Sequence, residues 1–140
     1  CCGGGGLSAG LALACGDADI FAVEPEGWDD VTRSLAAGEI LSVADMSYPT
    51  ECDALQTPET WPINFAVLQA RGVRGVVVTR EEVRHAMRVA FEKLHLVVEP
   101  GGAAALAAVL AGKVTPGAAT LITLSGGNVD PQKYAEILAG

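Results

Sequence analysis

The sequence predicts an α/β fold, with a mainly parallel sheet and flanking helices. Two observations carry that prediction. Short apolar runs of strand length alternate with longer stretches of helical periodicity along the whole chain. Two glycine-bearing turns, at residues 3–6 and 125–128, stand where such a sheet places its ligand-binding loops, beyond strand C-terminal ends. With 140 residues, 50% of them hydrophobic, the chain has enough apolar material for a core and forms one domain or part of one.

The elements follow in order. Residues 8–14 read as a helix opening on the first glycine run, and residues 20–23 as a short buried strand ending at Glu24-Pro25. Residues 28–37 read as a helix, with Gly38 as its stop. Residues 41–60 are irregular, with Pro49 and Pro58 as breakers. Pro62 is tolerated in the first turn of a helix over 62–71, and 75–78 is a strand. Thr79-Arg80-Glu81-Glu82 is a capping box opening a helix to about His95, whose Val83, Ala86, Met87, Ala90, Phe91 and Leu94 recur at helical spacing. Glu99-Pro100-Gly101-Gly102 opens an alanine-rich helix to about Leu110. Residues 120–124 read as a strand feeding the second glycine turn, and 131–138 as a last helix. There are no repeats and no low-complexity tails.

A net charge of −8 argues against nucleic acid and anionic membranes as partners. The four cysteines, Cys1, Cys2, Cys15 and Cys52, contain no C-x-x-C pair, which points to reduced thiols in a cytoplasmic protein. No basic segment precedes an apolar run as in a signal peptide. The longest apolar stretch, 103–111, is too short to cross a bilayer and reads as a buried helix.

Cys2-Gly3-Gly4-Gly5-Gly6-Leu7 is the most informative segment. Glycine lets backbone turn tightly and approach an anion, and free N–H groups at a helix start supply the complementary charge. An acidic chain without a basic patch has to bind phosphate in this way. A flexible loop is the competing reading of four glycines alone. A loop of this kind hangs from a buried strand, so the expectation is a C-terminal portion of a longer protein.

Four motifs in this order, Gly3-Gly4-Gly5-Gly6-Leu7, Val23-Glu24-Pro25, Val97-Val98-Glu99-Pro100-Gly101-Gly102-Ala103 and Leu124-Ser125-Gly126-Gly127-Asn128-Val129-Asp130, give a resemblance that covers nearly the whole chain. The chain resembles the C-terminal half of the threonine dehydratase and serine racemase family, fold type II enzymes that use pyridoxal 5′-phosphate. The resemblance implies that Gly3, Gly4, Gly5, Gly6 and Leu7 bind the cofactor phosphate through backbone amides. It implies that Ser125 hydrogen-bonds the pyridine nitrogen, and that Glu99 lies close to the ring. A hydroxyl does not keep that nitrogen protonated, so the ring is a milder electron sink suited to loss of a β-hydroxyl. Turn residue and acidic helix start are the competing readings of Ser125 and Glu99.

The resemblance also implies a cation held by Glu24, the carbonyl of Trp28 and Asp30, a set of hard oxygens suited to Mg²⁺ or Ca²⁺. An acidic helix start at Asp29 and Asp30 is the alternative. Ala54, in Cys52-Asp53-Ala54-Leu55, stands where many relatives have a glycine against the cofactor. Its backbone contact survives if its φ is negative. His85 and His95 read as non-catalytic.

The family's Schiff-base lysine lies upstream in a serine-x-lysine context. Lys93, Lys113 and Lys133 are the lysines here, and none has the desolvated setting that role needs. The implied activity is therefore that of a fragment. Its parent is a dehydratase (ammonia-lyase) acting on threonine or serine to give a 2-oxo acid and ammonia, working as a homo-oligomer and inactive without its N-terminal portion. A serine racemase-like parent, a non-catalytic phosphate-binding module and an inert truncated product are the rival readings.

Overall fold

The computed structural model describes residues 1–140. Its elements are α1 (Gly6–Ala14), β1 (Phe21–Pro25), α2 (Asp30–Ala37), α3 (Pro62–Ala70), β2 (Arg74–Val78), α4 (Arg80–Leu94), α5 (Pro100–Leu110) and α6 (Pro131–Ala139), with a 3-10 turn at Asp53–Leu55. β1 and β2 pair in parallel with Phe21 opposite Arg74 and Pro25 opposite Val78.

The strand side chains divide between two cores, as the period of two requires. Val23 and Val78 face a larger core with Val83, Met87, Ala104 and Ala107 of α4 and α5. Ala22 faces a smaller one with Ala9, Ala12, Val31 and Leu68 of α1, α2 and α3. The result is a three-layer α/β/α arrangement. Gly75 lets α2 sit close, because a Cβ there would lie 2.6 Å from the Thr32 Cα.

Local signals set the helix ends. The Thr79 hydroxyl accepts from the Glu82 amide, and the Glu82 carboxylate accepts from the Thr79 amide at 2.7 Å, completing the capping box. Gly38 stops α2 at φ 78°. α4 ends on His95, a non-glycine residue at φ 58°. The Glu51 carboxyl is held down to about 2 by the Arg84 and Arg80 guanidiniums, which tie residue 51 to α4.

One expectation fails. Residues 120–124 are not a strand, because the sheet contains β1 and β2 alone. A strand needs a neighbour for its backbone groups. Here a groove of about 820 Å³, lined by Cys1, Leu7, Phe21, Val23, Val109 and Ile122, separates this segment from the open edge of β1. Leu121 is 83% exposed beside it. No helix is long and apolar enough to cross a membrane.

Candidate active site

The glycine run lies at the C-terminal end of β1, where the Cys2 amide donates to the Val23 carbonyl at 2.8 Å. Gly5 adopts φ 83°, ψ −2°, the left-handed conformation, and α1 begins at the next residue. Left-handed then right-handed backbone turns successive N–H groups toward one point, an anion-binding nest. None of the amides from Gly3 to Ser8 is donated to a protein acceptor. Gly6 and Leu7 are not buried, so their amides are open to a ligand. The glycines are needed for space as well: a Cβ on Gly3 would stand 3.0 Å from Thr57 Oγ1, and one on Gly5 would stand 3.1 Å from Thr60 Oγ1. These six unpaired donors and the side-chain-free cradle fit a phosphate dianion.

Ser125 is brought to the cradle's edge. Its Oγ lies 3.4 Å from Cys1 Sγ, and Cys1 leads directly into the glycine run. The turn holding Ser125 is fastened to α5. Glu99 donates its amide to the Gly126 carbonyl at 3.1 Å and accepts the Asn128 amide on Oε2 at 3.1 Å. Gly102 lies so close to the Ser125 carbonyl that a Cβ would come within 2.7 Å of the Ser125 carbonyl carbon. Ala54 sits between the two halves of the site. Its carbonyl is 3.7 Å from the Cβ position of Gly3, and its own Cβ is 3.7 Å from that of Gly101. His95 is the one non-glycine residue with positive φ, so Ala54 has a negative φ.

Glu24 on β1 and Asp30 at the start of α2 are buried, 0% and 1% exposed. Glu24 Oε1 accepts the Val31 amide at 3.0 Å, and Oε2 accepts the Thr32 amide at 2.7 Å and the Thr32 hydroxyl at 2.6 Å. It therefore caps the N-terminus of α2 from outside the helix, at the positive end of the dipole. Burial still pushes its carboxyl up to about 8 and that of Asp30 up to about 6. Asp30 Oδ2 is buried without a hydrogen-bond partner. No three His, Cys, Asp or Glu side chains gather as a metal cluster, and both Glu24 oxygens are engaged by α2.

The lysines stand as follows. Lys113 donates to the Val77 carbonyl at 2.9 Å and pairs with Glu82 at 2.6 Å. Lys93 and Lys133 are exposed on α4 and α6. His85 lies on α4, and all four cysteines are free. Three residues that sequence reasoning missed brace the cradle from behind: Thr57 packs on Gly3 and Gly4, and Thr60 and Asn64 donate to the Gly4 carbonyl at 3.1 and 2.7 Å. No motif in the sequence marks them, since Thr57 and Thr60 stand among Pro58, Trp61 and Pro62, and Asn64 is a single polar residue in the first turn of α3.

Comparison with known proteins places the chain in a family. The sequence matches the family described as "Pyridoxal-phosphate dependent enzyme" over residues 1–126. It is 32% identical to a serine racemase of Dictyostelium discoideum, across 97% of this chain and 44% of that protein. It is 34% identical to an L-threo-3-hydroxyaspartate ammonia-lyase of Saccharomyces cerevisiae, across 99% of this chain and 43% of that protein. The structure of maize serine racemase superposes with a TM-score of 0.80 at 32% identity, over 98% of this chain and 44% of that one. The crystal structure of a threonine deaminase from T.th. superposes with a TM-score of 0.82 at 40% identity, over 91% of this chain and 48% of that one. The chain thus spans less than half the length of these relatives. With a match over residues 1–126, the chain belongs to the family of pyridoxal-phosphate dependent enzymes.

Proposed function

We propose that this chain is the C-terminal portion of the catalytic domain of a pyridoxal-phosphate-dependent ammonia-lyase acting on a small hydroxy amino acid, L-threonine before L-serine. The observation that carries the reading is the cradle itself: six unpaired amides around side-chain-free backbone, with the Ser125 hydroxyl at its edge. In this reading the amides of Gly3, Gly4, Gly5, Gly6 and Leu7 bind the cofactor's phosphate. When bound, the cofactor supplies an electron sink for the bonds at the substrate's α-carbon. Ser125 hydrogen-bonds the ring nitrogen as a neutral partner, and Glu99 holds the Ser125 turn at the ring. The backbone of Ala54 closes the side between the cradle and α5.

The lysine and the residues of the opposite cofactor face come from an N-terminal portion. The groove along β1 supports this, because its apolar lining and open strand edge suit an incoming parallel strand, and the Cys2 amide already bonds to β1. Glu24, the Trp28 carbonyl and Asp30 hold Mg²⁺ or Ca²⁺, a role supported by the unpartnered Asp30 Oδ2.

The test joins the chain to an upstream segment supplying a serine-x-lysine sequence and follows the products. The expected result is a 2-oxo acid and ammonia, formed faster from L-threonine than from L-serine. Inversion of serine without 2-oxo acid would overturn the lyase reading in favour of a racemase.

A further inference from the structure

The peptide joining Gly4 to Gly5 is held in one orientation from outside the loop. The Gly4 carbonyl accepts from Thr60 Oγ1 at 3.1 Å and from Asn64 Nδ2 at 2.7 Å. No peptide bond in the chain is cis. In a trans peptide the carbonyl and the following N–H point in opposite directions. With the Gly4 oxygen pinned toward Thr60 and Asn64, the Gly5 N–H faces away from them. It joins the unpaired amides of Gly6 and Leu7 at the mouth of α1.

No other hydrogen bond holds this peptide. Neither residue carries a Cβ, so an unbraced diglycine peptide rotates between this orientation and the flipped one at little cost. Flipped, it would present a carbonyl oxygen to the cradle, and a carbonyl repels an anion. The geometry points to Thr60 and Asn64 as positioning residues that select the anion-binding form of the Gly4–Gly5 peptide and so give this site its preference for the phosphorylated cofactor. The inference rests on the reading of the loop as a phosphate cradle. Thr60 is buried at 1% exposure, which keeps its hydroxyl from turning to water instead. Asn64 is half-buried on the first turn of α3, where truncation is tolerated.

Two measurements on the chain test it, using Asn64→Ala, Thr60→Val and the conservative Thr60→Ser. In the first, each protein is titrated with pyridoxal phosphate and with pyridoxal. The native chain prefers the phosphorylated form; Asn64→Ala and Thr60→Val each lower that preference about fivefold, the loss of one hydrogen bond's worth of bias, and Thr60→Ser retains it. In the second, the ¹H–¹⁵N resonance of the Gly5 amide is recorded without ligand. It moves in Asn64→Ala and Thr60→Val and stays in place in Thr60→Ser, a readout that needs no bound cofactor. An unchanged preference together with an unmoved Gly5 resonance in both variants would overturn the positioning role. A native chain that binds both compounds equally would instead sink the phosphate reading, and the Gly5 resonance would still decide whether Thr60 and Asn64 set the peptide.

Discussion

Replacing Gly102 with alanine is expected to dislodge the turn that carries Ser125. The added Cβ would stand 2.7 Å from the Ser125 carbonyl carbon and closer still to its oxygen, and 3.1 Å from Val98 Cγ1. The obstacle is backbone, which cannot rotate aside as a side chain can. Alanine's better helix propensity returns at most about 1 kcal/mol. Overpacking against fixed atoms costs on the order of 3 kcal/mol. The amides of Glu99 and Asn128, bonded to the Gly126 carbonyl and to Glu99 Oε2, report on the turn. Their hydrogen exchange should accelerate about thirtyfold, the kinetic equivalent of a net loss of roughly 2 kcal/mol of local stability. Gly10→Ala is the control, since its Cβ would meet nothing within 4 Å. Unchanged exchange at Glu99 and Asn128 in Gly102→Ala would contradict the close approach.

Glu24→Ala is the second substitution with a large expected effect. The side chain is 0% exposed and satisfies three donors at once, the amides of Val31 and Thr32 and the Thr32 hydroxyl. Two of these belong to the first turn of α2, which has no side-chain cap of its own. Leaving buried donors unpaired costs about 1–3 kcal/mol each, partly recovered by removing a desolvated carboxylate. A net loss of about 3 kcal/mol follows, a fall in melting temperature of roughly 10 °C for a chain of this size. Circular dichroism during thermal unfolding measures it. A loss under about 1 kcal/mol would mean that the carboxylate's cost of burial cancels its capping of α2.

What can be read from the sequence is what is decided locally. The glycine turn that opens α1, the Thr79 capping box and the Gly38 stop each depend on a few adjacent residues, and each stands where its pattern places it. Residues 120–124 carry a strand-like pattern, yet pairing depends on a neighbour elsewhere in space, and the groove beside β1 leaves them without one. The family resemblance implies that Glu24 is a cation ligand. Its grip on α2 reaches across seven and eight residues and leaves no motif behind. The bracing of Gly4 by Thr60 and Asn64 spans 56 and 60 residues, so only folding brings it to light. The Ser125 turn shows both sides: its glycines are visible as a motif, whereas the reason Gly102 must be glycine lies in another segment.

The most direct test of the account mixes the 140-residue chain with pyridoxal phosphate, reduces it with borohydride and maps modified lysines by mass spectrometry. The account predicts no lysine labelled above the background of exposed amines, because Lys113 is engaged by Val77 and Glu82 and because Lys93 and Lys133, on the surface of α4 and α6, have no desolvated setting to hold an imine. Stoichiometric labelling of any one of the three would contradict it, and would mean that this chain builds a lysine site of its own.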